Sequence, residues 1–292
     1  MATSTDKVPN TSATAASCGT DLNGAAVKNA CEIMRARLAP VAARLLREKT
    51  GRAPSPAKLF FADGMVCDRK RPEATVSFED VVRNAYLERI SLSATGYYAT
   101  PEIHWDRAAG RGKPFHYFAC GAAVCEVEVD GFTGMTRVLR VDILHDAGES
   151  INEGINAGQV EGGFVQGMGW LTTEELKWDD EGRLLTRSPD TYKVPTVGDA
   201  PLVFNVTLLK NSAQKGVIYG SKAVGEPPFM LAISVREAIR DAVAAFGLPG
   251  NDVPLPVPAT CEAIFMAIQK RRQPATTNRK ERKEHKAAMM TL

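Results

Sequence analysis

The sequence predicts an α+β fold, in which strands and helices follow one another without the regular alternation of βαβ units. Three observations carry that expectation. Residues 21–51 place apolar side chains at three- and four-residue steps, the period of an amphipathic helix. Residues 116–148 alternate apolar and polar side chains on both sides of a glycine-containing turn, the pattern of an antiparallel hairpin. Further along, helical and strand-like segments succeed each other with no repeating strand–helix–strand unit.

The elements are expected in this order. In residues 21–51, Val27, Ala30, Met34, Leu38, Val41 and Leu45 form one helical face, with a kink at Pro40 and a stop at Gly51. "LFFADGMVC", 59–67, reads as one short strand. "SFEDVVRNAYLERI", 77–90, reads as a helix with Ser77 as its N-cap and Asp80 three residues on. In the hairpin, Val124, Glu126 and Glu128 oppose Cys125, Val127 and Val129, the turn is "DGFTG", and the second strand carries Val138, Val141 and Ile143. Residues 155–178 are expected as a helix, 201–210 as a strand, the stretch after Glu226 as a helix to about Phe246, and 258–272 as a last helix. From Lys270 the chain carries eight Lys or Arg and few large apolar residues, so 1–269 is expected as the folded part and 270–292 as a disordered basic tail.

A length of 292 residues allows a substantial core, in one large domain or two small ones. Apolar residues at 44% and charged residues at 24% are ordinary for a globular protein, and a net charge of +2 calls for neither nucleic acid nor an anionic membrane. No apolar run approaches the roughly eighteen residues of a membrane span, and the first twenty residues lack the apolar core of a secretory signal. The expected location is the cytoplasm. Six cysteines stand at 18, 31, 67, 120, 125 and 261, and no histidine has a second ligand at metal-binding spacing. Buried free thiols and no metal held by protein side chains are expected.

Three stretches have the makings of a site. "AGQVEGGFVQGMGW" spaces Gly158 and Gly162, and Gly163 and Gly167, four apart within a helix, where each glycine costs about 1 kcal/mol. Close helix packing and close approach to a ligand both explain such spacing, and Gln166 in the middle offers an amide donor and acceptor. "NTSATAASCGTDLNG" precedes the first helix. Helix-start N–H groups with the Ser17 and Thr20 hydroxyls favour an anion, while capping by Thr20 or Asp21 explains the same residues. "SKAVGEPPFMLAISV" sets Glu226 between a glycine and two prolines. The prolines suit the first turn of a helix, but a mere cap needs no such rigid flanks. A carboxylate fixed there and partly desolvated by the apolar helix is a candidate general base.

Together "TSATAASCGTDLNG", "YFACGAA..EVEVD", "GQVEGGFVQGMGWLTTEEL", "TYKVPT" and "SKAVGEPPFMLAISV" resemble, in the same order, the xanthine dehydrogenases of the molybdenum hydroxylase family. The resemblance runs from about Ser4 to Ile268. It implies the C-terminal part of a molybdopterin-binding region, α+β, with mixed antiparallel sheets and packed helices. It implies oxidation of hypoxanthine to xanthine and xanthine to urate, with Glu226 as the general base. Thr14, Ala15, Ala16, Ser17, Gln166 and Gly167 would contact a molybdenum-molybdopterin cofactor whose metal is held by the pterin. It further implies 2Fe-2S clusters and FAD on other segments or a partner chain, the rest of the molybdenum subunit as partner, a purine substrate and an oligomeric assembly. The chain is thus expected to be a C-terminal fragment, inactive alone. Glu149, Glu153 and Gly154 depart from the family pattern, which leaves a non-catalytic remnant as one alternative and a binding protein using the basic tail as another.

Overall fold

The computed structural model describes residues 14–248 and 253–272. They form two compact units, each with its own core: residues 14–117 with Lys215–Gly220, and Phe118–Gln214 with residues 221–248 and 253–272. Small sheets with helices packed on them make the α+β class that the sequence predicts. Residues 1–13 and 273–292, with most of the expected basic tail, lie outside the described residues. Among the described residues no helix is long and apolar enough to cross a membrane.

In the first unit a π-helical turn, Thr20–Gly24, leads into α1 (Ala25–Thr50). The helix continues through Pro40 and stops at Gly51, whose φ of 74° only glycine adopts without strain. Leu38, Val41 and Leu46 are buried against Val81 and Ala85 of α2 (Phe78–Leu87), whereas Val27, expected on the same face, is exposed. Ser77 caps α2, its Oγ accepting from the Asp80 N–H at 3.0 Å.

Where one strand was expected the chain makes a hairpin, β1 (Leu59–Ala62) and β2 (Met65–Asp68), extended by an unforeseen β3 (Arg71–Ser77). The turn is Asp63–Gly64, both at positive φ, the two-residue geometry that matches strand twist. Beyond α2, an extended run docks on α1. Asn29 Nδ2 donates to the Tyr97 carbonyl at 2.7 Å, Arg37 donates to those of Ser91 and Ser93, and Gly96 lies too close to the Ala26 carbonyl to admit a Cβ. A short ribbon follows, β4 (His104–Asp106) with β5 (Arg111–Lys113), which the apolar pattern does not announce.

The second unit contains the expected hairpin, β6 (Gly121–Val129) and β7 (Thr136–His145), in register from Gly121↔His145 to Val129↔Thr136 with one bulge. The expected strand β8 (Val203–Leu208) joins β7 in parallel. Val141 and Ile143 on the inner face meet Val160, Phe164 and Met168 of α3 (Glu153–Thr172), Val235, Ile239 and Val243 of α4 (Ile233–Ala244), and Ile264 and Ile268 of α5 (Cys261–Arg272). Two helices depart from expectation. α3 ends at Thr172, not near 178, because Glu174 turns back into the protein and accepts from the Tyr192 hydroxyl at 2.5 Å. The stretch after Glu226 begins as a 3-10 helix, Pro227–Ala232, before α4 starts. The expected tail boundary at Lys270 falls inside α5, where Arg271 donates to the Ala244 carbonyl at 3.0 Å and the Arg272 guanidinium stands over Phe246.

Candidate functional site

The described residues bring part of the expected site together in the second unit. Gln166, Gly167 and Glu226 belong there, on or beside the contact between α3 and the segment 225–232. Thr14, Ala15, Ala16 and Ser17 belong to the first unit.

The α3 contact is made by backbone. A Cβ on Gly163 would lie 2.8 Å from the Gly225 carbonyl oxygen, and one on Gly167 would lie 2.6 Å from that of Phe229 and 3.0 Å from the Ala232 Cβ. Those two glycines therefore serve helix packing, one of the two explanations their spacing left open. Gly167, expected against the cofactor, is buried in this protein contact instead. Gly158 and Gly162 meet nothing within 4 Å, and both are exposed. Gln166, three residues after Gly163 and so about 60° around the helix from it, is exposed.

Glu226 follows Gly225 directly, with the αR-region backbone angles φ −95° and ψ −37°. Its carboxylate makes no capping bond to the 3-10 helix it precedes, so the cap explanation does not hold. Its backbone carbonyl accepts from the Phe229 N–H at 3.0 Å, and Pro227 and Pro228 fill the first-turn positions. The side chain is exposed, a correction to the expected partial desolvation: the apolar helix behind it buries Pro228, Ala232 and Val235 but not the acid.

Upstream of Glu226 lies a group that sequence reasoning missed. Lys222 and Asp146 form an ion pair at 2.5 Å, with only 10% and 11% of their side chains exposed. Lys222 Nζ also donates to the Phe118 carbonyl at 3.0 Å, and Asp146 Oδ1 accepts from the Gly148 N–H at 2.9 Å. Backbone bonds reinforce the pair, from Asp146 to the Cys120 carbonyl and from Lys222 to that of Ala147. Burial alone would raise the Asp146 pKa, but hydrogen bonds from Lys222 and Gly148 and the lysine charge hold it below the usual carboxylate range. No spacing rule joins residues this far apart in sequence. Only the switch from apolar β7 to "HDAG" marked the spot.

Beside this pair His145 is 1% exposed, and neither ring nitrogen has a hydrogen-bond partner among the described residues. Burial pushes its pKa below the ordinary 6.5, the Asp146 charge raises it, and the Lys222 ammonium lowers it. The net shift favours the neutral ring in the folded protein.

In the first unit, Ala16 and Ser17 both stand at left-handed φ, 53° and 55°, ahead of the π-helical turn. Two consecutive non-glycine residues there are strained by about 1–3 kcal/mol each, the kind of strain that gathers at ligand contacts. Thr14, Ala15 and Ala16 are exposed. Neither Thr20 nor Asp21 makes a capping bond: the π-helical turn has Gly19 at its N-cap position and α1 has Gly24. Asp21 instead accepts a hydrogen bond from the Tyr117 hydroxyl, and burial holds its pKa up against that bond and the nearby His116.

A sequence profile described as "Molybdopterin cofactor-binding domain" matches residues 1–201. The xanthine dehydrogenase of Oryza sativa subsp. japonica is 46% identical over 275 residues, which are 91% of this chain and 18% of that enzyme. The xanthine dehydrogenase/oxidase of Felis catus is 46% identical over 243 residues, 83% of this chain and 16% of that protein. The chain thus spans less than a fifth of the length of these relatives. Among solved structures, the Cu,Mo-CO dehydrogenase superposes with a TM-score of 0.70 at 22% identity, covering 91% of this chain and 31% of that one, a likeness of fold. Quinoline 2-oxidoreductase from Pseudomonas putida 86 gives 0.69 at 27% identity, covering 88% and 31%.

The residues present suit a pterin that brings its own metal ligands. Exposed Thr14 offers a hydroxyl and exposed Gln166 an amide, groups able to hydrogen-bond a polar heterocycle. Among the described residues no three His, Cys, Asp or Glu stand close enough to share a metal ion.

Two outcomes follow from this geometry. Gly163→Ala and Gly167→Ala are expected to lose about 1–3 kcal/mol through overpacking, while Gly158→Ala and Gly162→Ala gain about 0.5–1 kcal/mol of helix stability. Urea titrations of the four variants check the contrast. Neutral, buried His145 contributes stability that is full above its unfolded value near 6.5 and is lost as pH falls below it. Denaturation midpoints between pH 7 and 5 should fall in the wild type and fall less in His145→Met. The Asp146 contribution is lost only further down, as pH drops below the ordinary 3.8.

Proposed function

This chain belongs to the molybdopterin cofactor-binding domain family, and from that premise we propose that it works within a xanthine dehydrogenase-type molybdenum hydroxylase that oxidises hypoxanthine to xanthine and xanthine to urate. The carrying observation is Glu226, an exposed carboxylate whose backbone is fixed between Gly225 and two prolines on the glycine face of α3.

When bound, the molybdenum pterin supplies the two-electron redox change of the oxidation. The chain's own residues hold and orient. In the first unit the hydroxyls of Thr14 and Ser17 and the backbone of Ala15 and Ala16, and in the second unit the Gln166 amide, are the groups that would hydrogen-bond the cofactor. Gly167 lets α3 close on the segment that carries Glu226. That carboxylate would accept, at one oxygen, a proton of the water that supplies the new hydroxyl of an electron-poor purine ring carbon, the electron pair of the broken C–H bond going to the bound cofactor. It must stand within hydrogen-bond reach of that proton or one water away. A rigid backbone matters for this task, because a misplacement of about 1 Å can cost some 10²-fold in rate.

Electrons released in such an oxidation need acceptors, so the reading includes 2Fe-2S clusters and FAD on other segments or a partner chain, together with the rest of the molybdenum subunit.

In the protein that carries this chain, Glu226→Gln keeps shape and hydrogen bonding but cannot accept the proton. Its kcat on xanthine with an artificial electron acceptor is expected to fall about 10²–10⁴-fold with KM little changed. Near-normal turnover would refute the base. Bound molybdenum, measured in the same samples, separates this reading from a non-catalytic remnant, which would hold none. Residues 1–292 purified alone are expected to self-associate, to lack molybdenum and to leave xanthine unoxidised. A monodisperse, molybdenum-loaded and active monomer would remove the need for further segments.

A further inference from the structure

We infer that the buried Asp146–Lys222 pair is the positioning element that holds Glu226 in place for proton transfer, an inference that rests on the general-base reading of Glu226. From Lys222 to Glu226 the chain has no helix or strand, so no regular hydrogen-bond ladder fixes it. Its course is set by anchors. Ser221 makes an antiparallel bridge with Gly148, and Lys222 is held twice, by its N–H on the Ala147 carbonyl and by its ammonium on Asp146 and the Phe118 carbonyl. Val224 is then buried in the core, and Gly225 turns its carbonyl onto α3 at Gly163. Glu226 is the next residue.

The chemistry of the pair argues for geometry over stability. Two charges taken out of water lose much of their hydration, and an apolar pair of similar volume commonly stabilises as well or better. An apolar pair cannot supply directed bonds. Lys222 ties three strands of chain to one point: the lead-in to β6 through Phe118, the exit of β7 through Asp146, and its own segment. Asp146 in turn is held by the Gly148 N–H, at a glycine with φ of 64°. Loss of these bonds leaves the core in place but lets the segment that ends at Glu226 shift.

The test compares Lys222→Met, Asp146→Asn with Lys222→Met, Glu226→Gln, and Glu226→Gln with Lys222→Met, in the protein that carries this chain. The uncharged double variant leaves no unpaired buried charge and so guards against simple unfolding. Lys222→Met and the uncharged double variant are expected to lose about 10²-fold in kcat, with KM for xanthine and bound molybdenum unchanged. Amide hydrogen exchange in residues 221–226 should quicken while exchange in α3 stays slow. Glu226→Gln with Lys222→Met should be no slower than Glu226→Gln alone, because residues acting through one another are not additive.

Wild-type turnover in the uncharged double variant, with Glu226→Gln slow, would overturn this inference alone. Additive losses would do the same, since Lys222 would then act elsewhere. Wild-type turnover in Glu226→Gln would overturn the general base and this inference together.

Discussion

The second unit depends on one close approach of backbone to backbone. Helix α3 rests on the segment 225–232 with no side chain between them at two places, where Gly163 faces the Gly225 carbonyl and Gly167 that of Phe229. Glycine in a helix gives up stability to the unfolded chain, and here the loss is offset by letting the helix close on the segment that carries Glu226. Other anchors act through this contact. Phe164 and Met168, between and beyond the two glycines, enter the core shared with β7 and α4, so the face that approaches Glu226 and the face that holds the fold belong to one rigid element. A Cβ at either glycine would push the two apart and move the acid with them.

Much of this architecture was legible because it is local. The α1 period, the Ser77 cap, the Gly51 stop and the β6–β7 hairpin are each written in a few neighbouring residues. What was missed lacks that property. β3 was hidden because "RPEATVS" alternates weakly and forms its ladder only against β2. The single strand expected at 59–67 hid a turn at Asp63–Gly64, a signal present in the sequence but read as part of the run. The pattern predicts a longer α3 because "TTEEL" has good helix formers, and nothing local shows that Glu174 turns inward to Tyr192.

The candidate site divides the same way. Residue types around Glu226 announced a fixed carboxylate, and the structure supplies the fixing but not the burial. Gln166 and Gly167 are sequence neighbours with opposite fates, one exposed and one packed, a difference set by about 100° of helical turn and invisible in the motif. Asp146 and Lys222 were not legible at all. Each is an ordinary charged residue in its own stretch, and only the fold removes both from water.

An exposed acid is not in itself poised for general-base work, since water solvates the carboxylate and competes for the proton. What this chain provides is position: a backbone with two prolines, a carbonyl seated on a helix, and a buried charge pair four residues away. On the proposed general-base reading, the dry and polar enclosure that the acid still needs would come from whatever covers the exposed face once a cofactor is bound. In the first unit, exposed Ala16 and half-buried Ser17 likewise hold left-handed backbone. Strain of that kind persists only where the surrounding structure over-determines it. On the proposed reading, the second unit's own packing fixes the exposed acid, and a bound ligand would supply the cover that it lacks.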